Sequence, residues 1–70
     1  MTLREIVARN LRQIRHAKGM SQEELADRAG INRNYVGMLE RSEHAATVDM
    51  LEQLAAALDI EPSIMFNREI

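Results

Sequence analysis

Ser21-Gln22-Glu23-Glu24-Leu25-Ala26-Asp27-Arg28-Ala29-Gly30-Ile31-Asn32-Arg33-Asn34-Tyr35-Val36-Gly37-Met38-Leu39-Glu40-Arg41 contains two helix starts and one helix stop. Ser21 followed by Gln22, Glu23 and Glu24 has the form of a capping box, in which the serine hydroxyl accepts from the third residue's N–H and Glu24 reaches back to the cap. A helix is expected from Gln22, burying Leu25, Ala26 and Ala29. Gly30 closes it, because glycine takes the left-handed conformation at little cost. Only Ile31 and Asn32 follow before the next helical segment, Arg33 to Arg41, and Asn32 is a good N-cap. Two short helices joined by a tight glycine-containing turn make a helix-turn-helix over about residues 22–41. In its second helix Val36 and Leu39 face inward, leaving Arg33, Asn34, Gly37 and Met38 turned away from the core.

Outward from this motif the same logic continues. On the N-terminal side, Leu3, Ile6, Val7, Leu11, Ile14 and Ala17 recur at three- and four-residue spacing, an amphipathic helix that Gly19 stops. On the C-terminal side, Thr47 caps a helix whose expected buried stripe is Val48, Leu51, Leu54, Ala55 and Leu58. Pro62 suits the first turn of a short fifth helix carrying Ile64, Met65 and Phe66. No segment alternates with period two, and with one Tyr, one Phe and no Trp no strand is expected. The expected fold class is all-α, a five-helix bundle with a central helix-turn-helix.

Seventy residues, 46% hydrophobic and 29% charged, allow one core and one domain over residues 1–70. A chain this small buries only about 60% of the surface it exposes when unfolded, so a second subunit would help it. Without cysteine there are no disulfides and no thiolate metal sites. The longest apolar run, Leu54 to Leu58, is far short of the roughly 20 residues of a membrane span, and the N-terminus lacks a signal-peptide stretch. A cytoplasmic location is the expectation, with no membrane partner.

The net charge of −2 is unevenly spread: residues 1–22 carry +4, residues 23–42 carry −1 and residues 43–70 carry −5. Such a dipolar chain can orient on a polyanion, although two ordinary solvated faces would have the same composition. Enzyme readings are poor. His16 and His44 lie far apart, no metal-ligand spacing or glycine-rich phosphate loop occurs, and Ser21 is better explained as a cap than as a nucleophile. Neither a cofactor nor a metal is expected.

The run Gly19 to Arg41, continued through Thr47, Leu51, Leu54-Ala55, Ala57-Leu58 and Ile60 to Phe66, resembles the Cro and phage-repressor helix-turn-helix family of bacterial and phage DNA-binding regulators. That resemblance covers about residues 11 to 66 and implies a compact five-helix bundle binding DNA as a homodimer. It places Arg33, Asn34, Gly37 and Met38 on the groove-facing positions of the recognition helix. It places Gln22 and Tyr35 at phosphate contacts, which Arg41, His44 and Thr47 are expected to join. It also pairs Arg15 with Glu40 in a largely buried salt bridge between the first and third helices. Three positions depart from the family pattern. Ser42 stands where glycine is usual, Ala45-Ala46 replaces Asn-Pro, and Met38 stands where a polar base reader is frequent.

Chemistry supports several of these roles. Arginine pairs bidentately with guanine O6 and N7, and asparagine with adenine N6 and N7. Gly37, costing about 1 kcal/mol in a helix relative to alanine, is explained either by close approach of DNA or by a close helix crossing. Met38 either touches a thymine methyl or is simply exposed. Ile60, Ile64, Met65, Phe66 and Ile70 offer more apolar surface than one short helix needs to close a small core. The expected homodimer therefore uses a C-terminal segment of about residues 60–70, with Ile64, Met65, Phe66 and Ile70 at the interface. Among them Met65 and Ile70 are favoured, and Phe66 is the one more suited to the core. A two-fold dimer implies a pseudo-palindromic double-stranded operator. The function expected is a sequence-specific transcriptional regulator: a phage-type repressor, a restriction-modification controller or an antitoxin. The alternative is a protein-interaction module of the same fold, binding a protein partner such as a toxin.

Overall fold

Each α-helix start is fixed by a side chain that satisfies an otherwise orphaned backbone N–H. In the computed structural model, which describes residues 1–69, Thr2 accepts from Glu5, Ser21 from Glu24, Asn32 from Asn34 and Thr47 from Met50. These caps open α1 (Leu3–Ala17), α2 (Gln22–Ala29), α3 (Arg33–Glu40) and α4 (Val48–Leu58). Gly30, with φ +71°, closes α2, and Asp59, with φ +57°, closes α4. The described residues contain these four α-helices and one 3-10 helix, and no strand.

The expected fifth helix is corrected in kind. Pro62–Phe66 forms a 3-10 helix, too short for an α-helical hydrogen-bond ladder. The capping box is also displaced. At α2 only half of it forms, because the Glu24 carboxylate accepts from Arg28 Nη2 at 2.7 Å. The complete box lies at α1, between Thr2 and Glu5. The Glu5 carboxyl is held below its usual pKa, chiefly by the bond it accepts from the Thr2 backbone N–H.

α2 packs on α3 and α4, while α1 packs on α3 and the 3-10 helix. Leu11, Leu25, Ala26, Val36, Leu39, Leu54, Ala55, Leu58 and Met65 form one buried cluster where these elements meet. Apolar periodicity was a good guide to the middle of each helix and a poor one to its ends. Leu3 and Ala17 are exposed, and Val48 is 83% exposed, so the buried stripe of α4 begins at Leu51. At the start of α4 Thr47, Val48 and Asp49 are all exposed, so that turn is left uncovered.

The C-terminal segment departs most from expectation. Met65, assigned to a dimer surface, is 0% exposed and belongs to the core, whereas Ile64 and Phe66 are 36% and 39% exposed. The physical reason is Asn10, itself completely buried in α1. Its side-chain amide donates to the carbonyls of Met65 at 2.8 Å and Asn67 at 2.7 Å. That clamp fixes the rotation of the 3-10 helix so that Met65 points inward. Arg9 adds a bond from Nη2 to the Arg68 carbonyl at 3.0 Å. Ile70, the other favoured interface residue, lies outside the described residues.

Candidate nucleic-acid interface

α2 and α3 enclose a concave surface lined by Ser21, Gln22, Glu23, Arg33, Asn34 and Met38, with Arg15, Gly37, Arg41 and Glu43 completing it. Its base is a buried ion pair. Arg15 donates from Nε to Glu40 Oε2 at 2.6 Å and from Nη2 to Glu40 Oε1 at 3.0 Å, a two-pronged contact that locks both planes. The remaining Arg15 edge donates to the Met20 carbonyl at 2.8 Å, and Gln22 Nε2 donates to Glu40 Oε1 at 3.1 Å. These contacts tie α1, the turn before α2, and the start of α2 to the end of α3. Neither charge of the pair is left without partners.

Arg33 and Asn34 occupy the exposed first turn of α3, with Met38 half-buried one turn later. Gly37 is turned away from the apolar core, on the concave surface, but it does not face open solvent. It is buried beneath side chains. A Cβ added there would lie 3.0 Å from Arg41 Nη1 and 3.6 Å from Gln22 Oε1. The neighbours are flexible side-chain ends, not the backbone of a crossing helix.

The expected phosphate-contacting residues are distributed around this surface and already bonded to one another. Tyr35 and His44 share a hydrogen bond between the tyrosine hydroxyl and Nε2 at 2.8 Å, with the rings edge to face at 4.7 Å. Arg41 donates to both oxygens of Glu43, from Nε at 2.8 Å and from Nη2 at 3.1 Å. This mutual bonding raises the Arg41 pKa and lowers that of Glu43. Thr47 is committed to capping α4. Gln22 is engaged with Glu40 through its amide.

Two contributors were missed from the sequence. Glu23 on α2 pairs with Arg33 on α3 through Arg33 Nη1. Glu43 covers Arg41. A glutamate four positions before a basic residue on one helix, as Glu24 stands before Arg28, is a readable signal, but a pairing between two helices depends on how they cross. Asn10 was legible in principle, because it sits between Ile6 and Ile14 at four-residue steps along an apolar stripe.

The helix-turn-helix family model matches residues 11–65. The chain belongs to this family. Among relatives of this helix-turn-helix protein, the control protein C.SmaI of Serratia marcescens is 38% identical over 69 residues, 99% of this chain and 82% of that one. The crystal structure of the restriction-modification controller C.AhdI from Aeromonas hydrophila superposes with a TM-score of 0.88 at 43% identity, covering 90% of this chain and 96% of that one. The controller C.Esp1396I, solved as a tetramer with its natural 35 base-pair operator, has a TM-score of 0.86 at 30% identity, covering 94% of this chain and 87% of that one.

Proposed function

We propose that the protein is a non-enzymatic, sequence-specific DNA-binding regulator of transcription that acts in the cytoplasm as a homodimer on a pseudo-palindromic operator. The observation that carries this reading is the exposed first turn of α3, which offers Arg33 and Asn34 side by side while Glu40 at the other end of the helix is anchored to α1 and α2. In a helix-turn-helix that first turn enters the major groove. Arg33 and Asn34 have the donor patterns that read guanine and adenine edges. Tyr35, His44, the start of α2 and Arg41 border the groove walls. Met38 supplies apolar contact.

Similarity to controllers over nearly the whole of both chains favours the restriction-modification controller among the regulator types. The dimer surface in this reading is built from Ile64 and Phe66. Phe66 lines an apolar hollow of about 290 Å³ together with Leu3, Val7, Leu39, Ala45, Ala46 and Leu51, and Ile64 is exposed two residues before it in the same 3-10 helix. The test is selection of duplexes from a randomised 30-base-pair library, followed by titration of the recovered duplex and a mixed-sequence duplex at two salt concentrations. The expected result is a two-fold-symmetric consensus and an affinity that falls steeply with salt. Recovery of no preferred duplex would refute the proposal.

A further inference from the structure

Arg33 and Arg41 are the two exposed arginines that line the concave surface, and each is paired with a carboxylate in a different way. Glu43 engages Arg41 by its Nε and Nη2 edge, an edge that can also pair bidentately with a base or a phosphate. Glu23 holds Arg33 by Nη1 alone. The Nε and Nη2 donors of Arg33 therefore stay available. The Glu23 pair is also not local: it reaches from α2 to α3, across ten residues of sequence.

We infer that Glu23 is a positioning residue that sets the sequence preference of the DNA reading proposed above, by clamping Arg33 so that its free edge meets a base and its charge does not drift to a phosphate. Two physical effects support this. A guanidinium held at one nitrogen loses less side-chain freedom when it binds, and arginine otherwise retains much of that freedom. A neighbouring carboxylate also cancels the charge that a phosphate would attract, whereas two directed hydrogen bonds to a guanine edge are still worth about five- to 150-fold in discrimination. Glu43 has the opposite effect. It occupies the useful edge of Arg41 and weakens binding to any duplex by the worth of an exposed ion pair, at most about fivefold.

The two carboxylates thus separate in an experiment on the full chain. The probes are the duplex recovered by library selection and a mixed-sequence duplex, titrated at several salt concentrations, with thermal melts as a folding control. For Glu23→Ala the expected result is a fall of about five- to tenfold in the ratio of the two affinities, with tighter binding of the mixed duplex. The salt slope for the mixed duplex steepens by about one, as Arg33 goes to a phosphate. Glu23→Gln, which keeps an acceptor at the same place, restores part of the ratio. Glu43→Gln tightens both duplexes equally and leaves the ratio unchanged. The inference is overturned if Glu23→Ala leaves the ratio as in the wild type, or if Glu43→Gln lowers it as much as Glu23→Ala. A wild-type chain with no preference at all would instead overturn the DNA-binding reading itself.

Discussion

At the scale of single residues, buried charge and backbone conformation have the largest consequences. Removing one partner of a buried ion pair leaves a desolvated charge, at a cost of about 3–5 kcal/mol. Glu40→Ala strands the Arg15 guanidinium and one Gln22 donor, and is expected to lower the unfolding free energy by that amount in a urea titration. That is a large share of the stability of so small a domain. Ser42 has φ +61° in the loop after α3, where a side chain is strained by about 1–2 kcal/mol. Glycine relieves the strain but has more freedom to lose on folding, so Ser42→Gly is expected to stabilise by up to about 1 kcal/mol. Its melting temperature should rise by a few degrees. Glu43 titrates below the usual carboxylate range because Arg41 donates to it. The native pairing therefore persists above the unfolded pKa and is lost as pH falls through the depressed one. Carboxyl NMR of Arg41→Ala should show the Glu43 pKa moving back up.

At the scale of elements, α3 and the 3-10 helix show how function and anchoring divide. Arg33→Ala and Asn34→Ala remove exposed side chains from the first turn of α3. Each is expected to cost about 1–3 kcal/mol of base discrimination with the fold unchanged, read as footprints on wild-type and substituted operators beside thermal melts. The 3-10 helix makes few hydrogen bonds of its own and depends on Asn10. Asn10→Ala leaves buried carbonyls without a donor, a loss of about 1–3 kcal/mol. Amide exchange should accelerate first in residues 64–67 and only later in α2 and α3. The caps of these helices were readable because capping is a relation between residues two or three apart. The clamp was not, because Asn10 and Met65 meet only after the chain has folded back on itself.

At the scale of the whole molecule, the dimensions of the chain bear on the homodimer proposed above. The protomer measures 28 × 22 × 20 Å, less than the roughly 34 Å between successive major-groove faces on one side of a duplex. One copy presents one recognition helix, so an operator with two half-sites needs two. With Met65 in the core and Ile64 and Phe66 outside it, the two kinds of residue should behave differently. Phe66→Asp is expected to give a folded monomer near 8.0 kDa by sedimentation, with operator affinity reduced. Met65→Ala opens a cavity and should cost about 2–5 kcal/mol of stability whatever the assembly state. A Phe66→Asp chain that still sediments as a dimer would move the interface elsewhere. Among the described residues no helix is long and apolar enough to cross a membrane.

Local rules determined the helical plan of this protein: hydroxyl and amide caps at Ser21, Asn32 and Thr47, a left-handed stop at Gly30, and the apolar positions Leu25, Val36, Leu39 and Leu54 on inward faces. These depend on neighbours within one or two turns, so the amino-acid order suffices to read them. Whether Met65 or Phe66 enters the core, whether Gly37 is bare or covered, and which carboxylate holds which arginine were decided only by the tertiary structure. Each depends on the crossing of elements distant in sequence, as between Asn10 and Met65 or Glu23 and Arg33. There a rotation of one residue along a helix exchanges a buried side chain for an exposed one.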